Sequence, residues 1–552
     1  MTRYGIPQAR VGCSVTAARQ SEHKKATKST VRRMSNHSEL WKNIPWKQLR
    51  KNLFRLQCRL WKAVQAGDKA KTLNLQKLIL KSYAARMLAI RQVTQLNTGK
   101  RTAGIDGKAS LSFKERFELE TILKNQTQRW KHSRLREISI PKRDGTTRKL
   151  KVPTIKDRAW QCLVKYVLEP AHEATFHARS YGFRPGRSTH DAQKQLFNNL
   201  NSTAKGINKR VLELDIEKCF DRIDRNVLME KVIAPQSIKQ GIWSALKAGT
   251  APEFPEQGVP QGGVVSPLLA NIALNGIEDI HKCVRYADDM VYILKPEDDA
   301  EKILERIKSF LAQRGMKVKA SKTRLVAATD GFDFLGWHFV VLRNEKFKSY
   351  PSEENYKTFR KKVKNIVNCS NYGAREKAKK LAPIVRGWRN YHRYCKIRGA
   401  KHSLWFLDNR AFKVFNKEKK LNRYQARTLV EKAFPQVGYA ENKHVNVKGN
   451  KSPFDGDITY WSKRKSKYYD GNTARALRKQ NHSCGYCGLK FADEEQIHLH
   501  HIDGNHDNWK VRNLMAIHES CHDYIHRSKT DCREPCAGKP ARTDRTERGG
   551  VS

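Results

Sequence analysis

Between Glu39 and Leu96 apolar residues recur three and four positions apart, with Trp46, Leu49, Leu53, Leu56 and Leu60 on one stripe. That spacing predicts amphipathic helices. From Thr102 to Leu342 the pattern changes to short β-prone runs set between helices. One helix is sharply bounded: over Glu301–Arg314, Ile303, Leu304, Ile307, Phe310 and Leu311 share a face, and Gly315 ends it. After Lys346 the stripe Phe359, Val363, Ile366 and Val367 is ringed by Arg360, Lys361, Lys362 and Lys364, which predicts basic helices. Residues 387–395 interleave aromatics with arginines, a composition suited to stacking on unpaired bases while guanidiniums meet phosphates.

These shifts divide the chain. Residues 1–38 and 531–552 lack apolar periodicity and read as a disordered basic leader and tail. Between them lie a mixed α+β region (39–342), a basic helical region (343–440), a loop-rich connector with DNA-binding character (441–475) and a compact Cys/His module (476–530).

Charge narrows the function. Lysine and arginine outnumber acids 109 to 54, a formal charge of +55 spread along 552 residues, which calls for a polyanionic partner over a long surface. No apolar run reaches the roughly 18 residues of a membrane span, and the first residues lack the apolar core of a secretory signal. The cysteines from Cys13 to Cys395 are scattered singly, as suits reduced thiols in a bacterial cytosol, with an organellar matrix or stroma as the alternative.

The densest chemistry is Tyr286-Ala287-Asp288-Asp289, between the β-prone runs Cys283–Arg285 and Met290–Leu294. Two adjacent carboxylates at a hairpin turn are unfavourable unless a cation neutralises them. Two Mg²⁺ ions about 4 Å apart can activate a 3′-hydroxyl and stabilise a departing pyrophosphate, but that needs a further carboxylate. Asp215, ending the run Val211–Leu214, is the candidate.

The order of motifs around these residues resembles the group II intron-encoded reverse transcriptases. Gly104-Ile105-Asp106-Gly107 comes first, then Ile140-Pro141-Lys142 with Asp144, Gly145 and Arg148. The run Ser180–Arg187 follows, then Asp215–Asp221, Val259–Gly263, Ser266–Asn271, the YADD turn, Lys322-Thr323 and Phe334-Leu335-Gly336-Trp337. The resemblance implies a multidomain α+β protein: a right-hand polymerase of fingers and palm, a helical thumb or maturase region, and a small zinc-stabilised HNH domain. By the same resemblance Asp215, Asp288 and Asp289 bind metal, Lys142 and Arg148 hold a dNTP, Phe220 gates against a 2′-hydroxyl, and Gln261 lies beside the nascent base pair. Asp106, Asp221 and Asp224 are expected in turn or helix contacts, and Arg184 and Arg187 on template or primer backbone. One departure stands out: Lys149 and Lys151 replace the proline and glycine usual in the family.

Near the C-terminal end, Cys484-x-x-Cys487 and His518-x-x-Cys521 form two ligand pairs with the spacing of a closed zinc site. Between and after them stand His500, His501, Asn513, His522 and His526. This arrangement resembles the ββα-metal HNH nucleases. The likeness implies His501 as general base, Asn513 fixing the loop and orienting it, and a divalent ion on His500, His522 and His526. His498 and His506 are expected to be exposed bystanders.

Implied cofactors are therefore Mg²⁺ and Zn²⁺, and implied partners are the parent intron RNA, target DNA and dNTPs. Two other readings compete: a splicing factor whose polymerase has decayed, and a reverse transcriptase of a defence or mutagenesis system. The intact carboxylates and HNH histidines oppose the first, and the basic helices followed by an HNH module oppose the second.

Overall fold

The computed structural model describes residues 37–526, except 98, 100–101, 142–144, 146, 250–252, 398–401, 419–420, 467–468, 470, 489–490 and 492–496. The tail lies outside the described residues, as does the leader up to residue 36; His37 and Ser38 instead begin a helix over 37–42. Lys142 is likewise outside them.

The predicted N-terminal stripe forms the helix Trp46–Gln65, burying Leu49, Leu53 and Leu60. It packs with Lys69–Lys81, Tyr83–Arg91 and the largely buried helix Ile155–Glu173. Two strands, β1 (Arg136–Pro141) and β2 (Thr147–Val152), form an antiparallel hairpin in unbroken register from Arg136↔Val152 to Pro141↔Thr147. The lysine substitutions therefore leave this ladder whole. Lys151 is buried, its Nζ donating to the Gly249 carbonyl at 2.7 Å.

The palm is a four-stranded antiparallel sheet made of β3 (Arg210–Leu214), β4 (Cys283–Tyr286), β5 (Asp289–Leu294) and β6 (Arg324–Ala327), in the order β4-β5-β3-β6. Side chains alternate faces along a strand. Leu212, Leu214, Met290, Tyr292 and Leu294 enter the core shared with the N-terminal helices. Val211, Val284, Val291 and Ile293 enter a second core shared with the thumb. The sheet is thus a partition, covered on both faces.

A three-stranded sheet leads into the thumb: β7 (Phe332–Phe334), β8 (Trp337–Val341) and β9 (Phe347–Pro351). Leu335 and Gly336, both at positive φ, make the tight turn between its first two strands. Helices Glu353–Asn368, Ala374–Tyr391, Trp405–Phe415 and Arg423–Ala433 follow. The predicted stripe holds, with Phe359, Val363 and Val367 buried.

The aromatic and arginine run at 387–395 turns inward, contrary to expectation. Trp388 stacks on Phe359 at 4.5 Å and Tyr391 on Trp337 at 4.4 Å. His392 is fully buried, and Arg389 donates to the carbonyls of Phe434 and Pro435. Tyr391 thereby joins the three-stranded sheet to the thumb helices, and Trp388 joins two of those helices to each other. They offer no stacking platform for RNA.

The connector also differs from a tether. His444, Val447, Phe454 and Trp461 are buried, the last two on either side of the start of the helix Ile458–Ser466. Its anchor is Asp191, a fully buried carboxylate that accepts from His444 Nε2 (3.2 Å), Arg464 Nη2 (2.5 Å) and Val447 N (3.2 Å). Burial alone would raise this carboxyl; the His444 hydrogen bond and the Arg464 charge outweigh it and hold the pKa at about 2. Beyond the connector, helix Gly471–Lys479 packs on the hairpin of β10 (Ile497–His501) and β11 (Leu514–His518), which runs into helix Glu519–His526. No helix among the described residues is long and apolar enough to cross a membrane.

Candidate active sites of the palm and the C-terminal module

Asp215 leaves the end of β3, while Asp288 and Asp289 occupy the turn between β4 and β5, its neighbour in the sheet. The turn closes with Tyr286 opposite Asp289 and Ala287 at φ 59, a conformation that residues with a Cβ resist. Packing enforces it. Arg285, fully buried, donates to Glu278 (2.6 Å), to Asn271 Oδ1 (3.0 Å) and to the Ala287 carbonyl (3.0 Å). Asn271 in turn donates to the Gly182 carbonyl at 2.8 Å, and a Cβ at Gly182 would strike the Ala287 backbone. Sequence reasoning missed Arg285; a lone arginine inside a β-prone run was the available signal.

Crowding defines the electrostatics. Loss of water pushes the Asp288 carboxyl up, the Asp215 charge adds to this, and Arg148 and Arg285 oppose it. Asp289, at the exposed rim, is pushed up to about 6 by desolvation and by the charges of Asp288 and Asp215. One lysine answers them: Lys322 Nζ lies 3.0 Å from Asp215 Oδ2. Three acids in such a place suit a bound cation.

Phe220 sits half-buried in the short helix Cys219–Arg222, and its carbonyl accepts from Val259 N at 2.7 Å. The Gln261 carbonyl accepts from Lys151 N at 2.7 Å. The segment 259–262 therefore laces the palm at Phe220 to the fingers at β2. Asp224 caps the helix Arg225–Lys231, and Asp106 accepts from Lys108 N within its turn. Arg184 and Arg187 turn to partners within the protein rather than outward: Arg184 pairs with Glu173, both side chains buried, and Arg187 bonds the Ala178 carbonyl and carbonyls of the connector.

In the C-terminal module the Sγ atoms of Cys484, Cys487 and Cys521 and a ring nitrogen of His518 lie within 4.8 Å of one another. Hydrogen bonds from Cys487 and Cys521 hold the Cys484 thiol far below its ordinary range, while sharing with Cys484 and Cys487 pushes Cys521 up. Three sulfurs and one imidazole form a closed tetrahedral donor set. A second cluster brings His500, His522 and His526 within the same distance, with His526 Nε2 3.2 Å from His500 Nδ1. Burial and the neighbouring histidines lower His522 to about 4 and lower His500, so these rings stay neutral and keep lone pairs for a metal.

His501 points to the other face of β10. It is buried, and neither ring nitrogen has a hydrogen-bond partner among the described residues; its ring meets Trp509 edge-on at 5.0 Å. Asn513 does not orient it. Its amide donates to Asp503 Oδ1 (2.8 Å) and the Asn508 carbonyl (2.9 Å), and its Oδ1 accepts from Asp503 N. Asn513 thus fixes the loop, and Asp503 is the partner that the sequence did not reveal. Nor is His498 a bystander: two residues before His500 on the same face, it lies half-buried with its ring 5.3 Å from that of His522. His506 is exposed, 5.2 Å from the His501 ring.

Family comparisons cover most of this chain. Residues 41–123 match the N-terminal domain of reverse transcriptase and 140–339 the reverse transcriptase (RNA-dependent DNA polymerase). Residues 356–429 match the group II intron maturase-specific domain and 484–528 the HNH endonuclease. Maturase-like protein 1 of Euglena gracilis is 41% identical over 396 residues, 71% of this chain and 86% of that one. The group II intron-encoded protein LtrA of Lactococcus lactis subsp. cremoris is 32% identical over 190 residues, 33% of this chain and 31% of that one. A solved telomerase from Candida albicans aligns at 16% identity with a TM-score of 0.30, over 56% of this chain and 62% of that one. With its palm, its maturase-specific helices and its terminal Cys/His module, the chain belongs to the group II intron-encoded reverse transcriptase/maturases that carry an HNH endonuclease domain.

Proposed function

We propose that Asp215, Asp288 and Asp289 hold Mg²⁺, the hard cation their oxygens suit, and extend a DNA primer along an RNA template. The gathering of three carboxylates at the ends of two neighbouring strands carries this reading. Bound there, the ions would favour ionisation of the primer 3′-hydroxyl and neutralise charge on the departing pyrophosphate. Arg148, whose charge already reaches Asp288, receives the triphosphate together with Lys142. Phe220 blocks a ribose 2′-hydroxyl, and Gln261 flanks the new base pair.

In the module, Cys484, Cys487, His518 and Cys521 hold zinc as a structural ion. His501 takes the proton of the attacking water, and Asn513 and Asp503 hold the loop beside it. His500, His522 and His526 hold the divalent ion that stabilises charge on the cleaved phosphate. The substrates are the parent intron RNA, a target DNA and dNTPs: the protein assists splicing, nicks DNA and copies the intron into it. Its setting is a bacterial cytosol or an organellar matrix or stroma. Replacing Asp288 and Asp289 with alanine should abolish Mg²⁺-dependent primer extension while leaving RNA affinity unchanged within twofold. Extension by that variant would place the chemistry elsewhere.

A further inference from the structure

Two thumb helices face each other across an open groove of about 640 Å³ that the polymerase and nuclease chemistry leaves unused. One wall is the helix Ala374–Tyr391, presenting Arg375, Lys379, Pro383 and Arg386, spaced four, four and three apart on one face. The other is Arg423–Ala433, presenting Tyr424, Thr428 and Lys432. Small residues open the gap: Ala378, Ala382 and Pro383 stand where longer side chains would close it, and Leu421 and Leu429 complete an apolar floor.

Four cations, Arg375, Lys379, Arg386 and Lys432, are exposed around this floor, and no aspartate or glutamate lines it. Tyr424 stands at the edge, 80% exposed, a ring that no core contact explains. Pro383 has no N–H to offer the Lys379 carbonyl, so the groove wall carries a backbone acceptor without its helical donor. The volume falls within the roughly 300–1,000 Å³ of small-molecule sites, room for one nucleotide and too little for a duplex. An apolar slot with an aromatic lip and a cationic rim matches a nucleobase and its flanking phosphates.

We infer that this groove receives one unpaired nucleotide of a bound RNA. The base lies on the apolar floor against Tyr424, and the phosphates on either side meet Arg375, Lys379, Arg386 and Lys432. The inference deepens the proposed function, because it rests on the chain binding a structured RNA. It gives the thumb a way to read a bulge rather than a helix.

The test uses the full chain and two RNA hairpins of equal length and charge. One is fully paired, and the other carries a single bulged 2-aminopurine. The bulged hairpin should bind about tenfold tighter, with a change in 2-aminopurine fluorescence. Tyr424→Ala, at a position too exposed to unfold the thumb, and Ala382→Trp, which fills the groove, should each remove that preference and spare the paired hairpin. Equal binding of the two hairpins by the unsubstituted chain would overturn the inference, as would a preference that survives both substitutions. Displacement of neither hairpin by an acidic helical peptide supports it; peptide binding in the groove without a bulge preference would assign the groove to a protein partner instead. Primer extension on an unstructured RNA separates the groove from the polymerase. Lost bulge preference with normal extension leaves polymerase function standing, whereas no extension by the unsubstituted chain undoes the broader reading.

Discussion

Asp215, Asp288 and Asp289 stand at one end of the central strands of a sheet with an apolar core on each face, whereas the metal-type cluster of the C-terminal module is itself much of that module's core. The palm buries Val211, Leu212, Met290, Val291 and Ile293 around its acids, and these hold the carboxylates together whatever occupies them. In the module the buried cluster is Ala476, Leu477, Phe491, Ala516 and Ile517 together with Cys484 and Cys521 themselves. So small an apolar core stabilises little on its own, and a metal bound there would contribute folding free energy. The palm thus tolerates crowded carboxylates, with its fold secured elsewhere. The module has no such reserve, and its two metal-type clusters draw on opposite ends of the same β-hairpin.

The largest effect expected is on strand cleavage. His501→Ala should lower DNA nicking by roughly 10²–10⁴-fold while zinc content and DNA binding stay at the unsubstituted level, since only the base is lost. Zinc release from that variant would erase the distinction between the two clusters. Next comes Cys487→Ser, which should release the zinc and unfold the module alone. Limited proteolysis should then remove residues beyond about 475 while primer extension persists; resistance to protease would show that the apolar core suffices without metal.

Smaller effects are expected of two single substitutions in the palm that leave its other acids in place. Phe220→Val should raise ribonucleotide incorporation by about tenfold, read from single-nucleotide extension with each sugar, with a modest fall in melting temperature because the ring packs against the core. Unchanged sugar selectivity would remove Phe220 from the gate. The smallest effect is a gain. Asp289 has a raised folded pKa, so the stability linked to it is present below the unfolded value near 3.8 and is lost as pH rises through about 6. Asp289→Asn should therefore raise the melting temperature by roughly 1–3 °C at pH 8, measured without added Mg²⁺, and the gain should vanish at pH 4. An equal gain at both pH values would mean that charge crowding is not the cause.

Elements carried by local pattern were legible in the chain. The stripe Ile303, Ile307, Leu311 became the helix Ala300–Ala312, and the Cys-x-x-Cys and His-x-x-Cys pairs came together in space. What stayed hidden depends on partners distant in sequence. Trp388 and Tyr391 are residue types that serve an RNA platform or a core equally well, and the choice was made by Phe359 and Trp337. Arg184 reads as a phosphate contact until Glu173, at the end of the preceding helix, claims it. Asp191 carried no signal at all, because the His444 and Arg464 that bury it lie more than 250 residues away. Asn513 reads from sequence as the partner of the nearest chemistry, His501, whereas its bonds go to Asp503.

We propose that one chain holds two independent reaction centres, with Asp288 and Asp289 serving one and His501 the other. The most direct measurement assays Mg²⁺-dependent extension of a primed RNA and nicking of a target DNA on the same preparations of the unsubstituted protein, Asp288→Ala/Asp289→Ala and His501→Ala. The account predicts that the palm variant nicks DNA normally and makes no cDNA, and that the histidine variant makes cDNA normally and leaves the DNA intact. Extension by the palm variant, or loss of both activities in either variant, would contradict it.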